Sequence, residues 1–269
     1  MGQRVLRNLL PAGVAGLARR LCGGIPGGES AAPEHFATHY AETLAREGRS
    51  FGGARVLVFG HGPSYGFACA LLAAGAEHVH LWDPYAKPDD AANRRWLRRY
   101  PQYLEARGRR VVPRADWMTL VAAKERPEDT VFPRVDLVLS TSVFEHLEDP
   151  DLWAAKLARA VDPGGLNLHM IDLRDHFFHR PFEMLCYSEA TWRRWLNPRQ
   201  HLNRWRHDDY QRMFRRHFGE VSIEILESDE EALAAYRSRI RPEFQSGDPT
   251  IDSVLEIEVV ATEPLPARD

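Results

Sequence analysis

From Arg55 onward, short apolar runs alternate with stretches patterned for helix, and that alternation restricts the fold more than any other feature of the chain. Arg55–Phe59, Val79–Trp82, Arg110–Pro113, Val135–Ser140 and Leu166–Leu173 read as strands. Tyr65–Ala74, Ala91–Arg107 (bent or broken at Pro101), Met118–Glu125 and Pro150–Ala160 read as helices between them. Apolar strands separated by helix-length segments pair in parallel and are covered on both faces. Right-handed crossovers make such a sheet doubly wound. Two late strands, Val221–Leu226 and Val254–Ala261, enclose a helix near Glu230–Arg239 and predict a closing antiparallel hairpin. The expected fold is α/β: a doubly wound, mostly parallel seven-stranded sheet.

Two segments stand outside the alternation. Residues 1–50 predict N-terminal helices divided by a breaker cluster of Gly23, Gly24, Pro26, Gly27 and Gly28. In the second helix, about Pro33–Arg46, Phe36, Tyr40 and Leu44 form one apolar stripe. It either closes over a ligand as a lid or covers one sheet face. Residues 174–218 are rich in His, Arg and aromatic side chains and predict a helical cap over one end of the sheet. The remainder of 51–269 is one domain carrying that insertion. Cys22, Cys69 and Cys186 are odd in number and widely spaced, so neither a disulfide framework nor a C-x-x-C pair is expected, and a reducing, cytoplasmic setting fits. Pro11, Arg19 and Arg20 interrupt the apolar residues near the start, which argues against a signal peptide, and no run suffices for a membrane span. The net charge of −3 offers no overall positive field for nucleic acid, and Arg94, Arg95, Arg98 and Arg99 read as a solvated helix face.

Val56-Leu57-Val58-Phe59-Gly60-His61-Gly62-Pro63-Ser64-Tyr65-Gly66 lies between a strand and a helix. Gly60 and Gly62 permit a tight turn and close approach of a ligand to the backbone. The helix start beyond them offers free N–H groups to a polar or negative ligand. Asp83, 23 residues after Gly60, ends the next strand, where a carboxylate accepts both hydroxyls of a ribose. A glycine-rich turn beside a solvated Asp accounts for the same residues without a ligand. Further on come Val135-Asp136-Leu137-Val138-Leu139-Ser140, then Glu145-His146-Leu147-Glu148-Asp149-Pro150, then Pro163-Gly164-Gly165.

In this order the motifs resemble the class I methyltransferases that use S-adenosylmethionine, over roughly Val56 to Leu173. The resemblance implies a Rossmann-like methyltransferase domain with that cofactor. It implies that Gly60, His61 and Gly62 pass under the methionine part and that Asp83 binds the ribose. Asp116, taken to follow the third strand, would face the adenine amino group, with Trp117 or Met118 on the ring, and Ser140 would approach the cofactor's amino end through its backbone. Trp117 and Met118 read equally as core, and Asp116 as a helix cap. Two departures stand out. Val58 occupies the position that is acidic in the family, and Ser64 replaces the third loop glycine, with Gly66 two residues later.

The chemistry expected is methyl transfer to a small molecule, at oxygen. In-line displacement depends on positioning, and a hydroxyl acceptor gains from a general base. His146 and His176 follow the fourth and fifth expected strands, at the edge where open α/β sheets bind ligands. Either is the candidate base, with Asp172 or Asp175 as its orienter. A packed, capping histidine is the plain alternative for each. Relatives in ubiquinone biosynthesis and small-RNA 2′-O-methylation carry E-x-x-E-H with Mg²⁺; here Ser142 stands for the first Glu, which weakens a metal site, and the reading without metal is preferred although Glu145, His146, Asp172 and His176 could still make one. Tyr187, Trp192 and Arg204 are candidate acceptor contacts in the cap, which resembles methyltransferases of bacterial glycan and secondary-metabolite pathways. Rings that seal the cap onto the sheet are the competing reading. Two rival functions remain at this stage: an S-adenosylmethionine-binding protein without methylation activity, for which Val58 speaks, and an NAD-dependent oxidoreductase, against which the E-H-L-x-D-P and P-G-G segments speak. Self-association is left open.

Overall fold

In the computed structural model the described residues are 33–123, 126–176, 180–197 and 202–266. The first expected N-terminal helix and its glycine–proline cluster lie outside them. One seven-stranded sheet forms the centre. Its strands are β1 (Arg55–Phe59), β2 (His78–Trp82), β5 (Met118–Leu120), β6 (Val135–Thr141), β7 (Val161–Asp172), β8 (Phe218–Ser228) and β9 (Val254–Pro264). Their spatial order is β5-β2-β1-β6-β7-β9-β8. The first five in that order run parallel, and β9 is antiparallel to both β7 and β8. The chain leaves β1 toward β2 on one side and returns to β6 on the other. That reversal opens a crevice at the carboxyl edge, between β1 and β6.

Two-residue alternation sends successive β1 side chains to opposite faces. Val56 and Val58 join a cluster with Tyr40, Leu44, Leu71 and Trp96. Leu57 and Phe59 join another with Trp153, Leu157, Met213 and Phe214. The first face is thus covered by α1 (Pro33–Arg46), α2 (Gly66–Ala73) and α3 (Asp90–Arg99), the second by α4 (Pro150–Ala160) and α5 (His207–His217). Each fully buried Leu or Val contributes on the order of 1.5–3 kcal/mol. Asp149 caps α4 by accepting the Leu152 N–H, with Pro150 in its first turn. A third cluster, Phe182, Met184, Leu185, Trp192, Leu196 and Leu202, packs on Leu233 of α6 (Glu230–Tyr236), on Ile240 and on Leu255.

The middle of the chain departs from expectation. The helix expected over Ala91–Arg107 ends at Arg99, because Pro101 biases Tyr100 away from helical geometry. Leu104–Arg107 is β3, and it pairs with β4 (Arg110–Pro113) in a separate antiparallel hairpin that turns at Gly108, φ +63°. Arg110–Pro113 is therefore not the third strand of the main sheet. That place belongs to Met118–Leu120, expected to be helical, which pairs with Val79–Leu81 of β2. Among the described residues no helix is long and apolar enough to cross a membrane.

Candidate active site

The glycine loop leaves β1 at the crevice. Gly60 and Gly62 have φ of +85° and +63°, left-handed values that side chains resist. A Cβ on Gly60 would stand 2.3 Å from a Val143 methyl carbon, so the turn after β6 lies directly against the loop. The Gly62 N–H donates to Asp83 Oδ2 at 2.9 Å, and the Tyr85 and Ala86 N–H groups donate to Oδ1 at 2.8 and 2.9 Å. Asp83 is thereby fixed at the carboxyl end of β2, beside the loop. Asn93, buried on α3, accepts the Tyr65 N–H and donates to Pro63 O. A Cβ on Gly66 would lie 2.5 Å from the Trp96 ring, so Gly66 gives the close helix packing expected of a third loop glycine, and Ser64 accepts its N–H. Burial lowers the His61 imidazole below its usual range, so that ring is neutral near pH 7. Val58 is buried in the apolar core and offers no charge to an amino group. Left-handed glycines, a carboxylate locked at the end of β2 and the start of α2 fit an adenosyl cofactor.

Asp116 and Trp117 require correction. They precede β5 rather than follow the third strand, which puts them at the amino edge of the sheet. The Val79 N–H, at the start of β2, donates to Trp117 O, and His78 lies against Asp116 O. The Trp117 ring packs on Tyr103. Both are remote from the loop along the strands. The residue that follows the third strand at the carboxyl edge is Val121, whose N–H donates to Leu81 O. Ser140 is the last residue but one of β6, which runs to Thr141, and its carbonyl already accepts the Tyr40 hydroxyl at 2.7 Å while its Oγ bonds His169 at 2.8 Å. Helix α1 is thus pinned across that strand end. Glu258, fully buried on β9, reinforces the attachment by accepting from His39 and Thr43.

His146 and His176 come together, their ring centroids 5.1 Å apart. His176 Nε2 lies 3.2 Å from Asp172 Oδ2, so of the two candidate carboxylates Asp172 is in contact with it. Burial alone would raise the Asp172 carboxyl, but the His176 hydrogen bond and the Arg174 charge hold it below the usual range. Arg174 reaches Asp172, Glu227 and Glu256 at 2.8, 2.6 and 2.7 Å. Glu145 is 2% exposed, and its carboxyl has no side-chain partner, only weak support from the backbone at Glu145 and Asp172. Burial first, and the Asp172 charge second, push it well above the ordinary carboxylate range. The turn that carries it starts at Ser142, φ +53°, a strained value for a side-chain-bearing residue. Asn203 holds this turn: its side chain donates to Phe144 O at 2.8 Å and Leu147 O at 3.1 Å, and its N–H donates to Glu145 O. The sequence reading did not single out Asn203 or Arg174; only their partners reveal their work.

The three expected acceptor contacts form the cap's own interior. Trp192 is buried and donates to Leu202 O. Arg204 bonds Glu189 and the Met184 and Tyr187 carbonyls, and stacks on Phe244. The Tyr187 hydroxyl donates to Glu183 at 2.8 Å. Cap and sheet are joined by Arg206, 7% exposed, which donates to the carbonyls of Leu173, Asp252 and Val254.

A methyltransferase domain model matches residues 34–219. No curated protein matches the chain. Among solved structures, phosphoethanolamine N-methyltransferase 2 of Haemonchus contortus, in complex with phosphomonomethylethanolamine and S-adenosylhomocysteine, is 17% identical with a TM-score of 0.51, over 97% of this chain and 60% of that one. A candidate sarcosine dimethylglycine methyltransferase of Galdieria sulphuraria is 15% identical with a TM-score of 0.50, over 85% and 86%. An S-adenosylmethionine-dependent methyltransferase of Mesorhizobium loti is 16% identical with a TM-score of 0.43, over 82% and 95%. The matched model takes in the glycine loop, Asp83, both histidine turns and the sheet from β1 to β7, and the chain belongs to the methyltransferase-domain family as an S-adenosylmethionine-dependent enzyme.

Proposed function

We propose that the chain methylates an oxygen of a small-molecule acceptor of the glycan or secondary-metabolite kind, with a histidine as general base. The observation that carries this reading is the His176–Asp172 pair beside His146, at the carboxyl edge and across from the glycine loop. When bound, S-adenosylmethionine supplies an electrophilic methyl group on a sulfonium. Gly60, Gly62 and Asp83 are the residues assigned to hold it. With Nε2–H donated to Asp172, the free lone pair of His176 is on Nδ1, and that atom takes the acceptor's hydroxyl proton. Asp172, kept ionised, fixes the ring and stabilises the imidazolium that forms, as the carboxylate of a hydrolase triad does. Asn203 acts as a positioning residue for the turn that carries His146.

The test is release of S-adenosylhomocysteine from purified protein, S-adenosylmethionine and a panel of hydroxyl and amine acceptors. His176→Ala should lower kcat by about 10²–10⁴-fold with cofactor affinity unchanged. A His176→Ala enzyme as fast as the wild type would overturn the base. One observation favours a second reading, N-methylation of a cationic amine: Asp172, Glu227 and Glu256 share Arg174, and the buried Glu145 lies within reach of the Asp172 and Glu256 charges. Turnover confined to the amine arm of the panel would select it.

A further inference from the structure

Residues 94–114 carry eight arginines against one acid, Glu105, a net of +7 in a chain whose total is −3. The fold gathers them on one side. Arg94, Arg95, Arg98 and Arg99 are all exposed on α3. The hairpin of β3 and β4, which the sequence pattern did not reveal, adds Arg107, Arg109 and Arg110 around its turn and Arg114 at its foot, again all exposed. Two bonds lock hairpin to helix: Arg94 Nη2 donates to Arg109 O at 2.9 Å, and the Val111 N–H donates to Asp90 Oδ1 at 2.8 Å. Helix and hairpin therefore present one basic face, about 15 Å long by the rise of a ten-residue helix.

Few anions answer it. Arg99 meets Glu34 at 2.8 Å, and Glu105 serves both Arg107 and Arg114, at 2.6 and 3.6 Å. The other five arginines meet no carboxylate among the described residues. Elsewhere Arg55, Arg174 and Arg216 each close on one. Arg94 with Arg98, and Arg95 with Arg99, are like-charge pairs at i,i+4, which weaken a helix until an anion lies against them. Aromatic surface adjoins the face. The Arg114 N–H donates to Tyr103 O and the Trp117 N–H to Arg114 O, and Trp117, set edge-on to Tyr103, is 38% exposed.

We propose that this face binds single-stranded nucleic acid. A guanidinium pairs bidentately with phosphate oxygens and stacks on flat rings, and every basic group here is an arginine. Trp117 offers a ring on which a base of any kind stacks. A membrane surface fits less well: Glu105–Arg110 at the hairpin tip holds no apolar side chain larger than Ala106, and charge without an inserted group grips a bilayer weakly. The net charge of the chain, which argued against nucleic acid, conceals this separation. Glu220, Glu224 and Glu227 stand on β8, at the far edge of the sheet from β5, and salt screens exposed charges beyond about 10 Å.

The test is fluorescence anisotropy of a labelled single-stranded RNA of about 12 nucleotides, titrated with the full-length protein. With about four phosphates neutralised, affinity should fall by about 50-fold between 50 and 200 mM salt. Arg95→Glu with Arg98→Glu, and Arg109→Glu with Arg110→Glu, should each weaken binding by at least about 10-fold. Trp117→Ala should weaken it by at least about 5-fold. Arg212→Glu with Arg215→Glu, exposed on α5 across the sheet, makes the same change in net charge and should leave affinity within about 2-fold. No binding at 50 mM salt, binding unchanged in the face variants, or an equal loss in the α5 variant overturns the site. Capture of the protein by vesicles of phosphatidylglycerol and phosphatidylcholine, with no binding of RNA, overturns it in favour of a membrane. Each of these results leaves the methyl-transfer reading untouched.

Discussion

His169 makes this protein sensitive to acid, by an amount its surroundings fix. It is fully buried on β7, between the Phe144 and Phe214 rings at 4.7 and 5.3 Å, with Nδ1 bonded to Ser140 and Nε2 without a partner. A charged imidazole in that slot has no anion to meet it, and burial lowers its pKa from 6.5 to about 3. Unfolded, the same residue takes up a proton near 6.5. Between those values the unfolded chain holds the extra proton, so stability is complete at neutral pH and falls as pH drops below 6.5. At pH 5.0 the difference is 1.5 units at about 1.4 kcal/mol each, or about 2 kcal/mol, a large part of an ordinary domain's stability. His169→Leu forfeits the Ser140 bond, at about 1 kcal/mol, but has nothing to titrate. Urea unfolding of both proteins at pH 7.5 and 5.0 isolates the effect, because contributions from other groups, His80 included, cancel in the subtraction. The gap between wild type and variant should shift by about 2 kcal/mol across that range. A gap constant to within about 0.5 kcal/mol would mean that His169 gains a proton as easily folded as unfolded, and the burial argument would be wrong.

Other perturbations separate the parts of the site. Asp83→Asn removes the acceptor of the Gly62 N–H and, on the cofactor role proposed for Asp83, one ribose partner, so S-adenosylmethionine affinity measured by calorimetry should fall by about 10–100-fold. Asn203→Ala frees the Glu145–His146 turn, so kcat should drop by at least about 10-fold with cofactor affinity unchanged; equal losses in both would point to general unfolding instead. Gly66→Ala drives a methyl into the Trp96 ring and should destabilise the chain by about 1–3 kcal/mol in denaturant unfolding.

The parts of the fold that could be read from sequence are those with long, uniform patterning. Helices Pro33–Arg46 and Pro150–Ala160 have the expected bounds, and β1, β2, β6, β7 and the closing pair lie within a few residues of theirs. The third strand was not legible. Met118-Thr119-Leu120 is three residues long, at a sheet edge, with only Met118 buried, too short for any period to register. Arg110-Val111-Val112-Pro113 reads more strongly as a strand and is one, but with β3 as its partner. That single exchange carried Asp116 and Trp117 to the wrong edge. In the cap, Arg204 was a ligand-binding candidate and its neighbour Asn203 was not. One closes on Glu189 and neighbouring carbonyls, and the other clamps the histidine turn, a difference that depends on which carbonyls the chain brings near. His176 was legible as a polar group at the carboxyl edge of the sheet, but its pairing with Asp172 rather than Asp175 was not, because the path of the chain after the strand decides it.

The Arg206 tie between cap and sheet has an evolutionary side. Its three acceptors are main-chain carbonyls, at Leu173, Asp252 and Val254. Substitutions at those three positions change side chains but leave the carbonyls in place, so random drift there hardly loosens the joint. Loss of Arg206 strands all three acceptors at once, and no single replacement restores them, because the guanidinium alone spreads five donors in a fixed plane. The attachment is thus robust on one side and fragile on the other. Other cap residues are free to diversify as long as this one side chain persists.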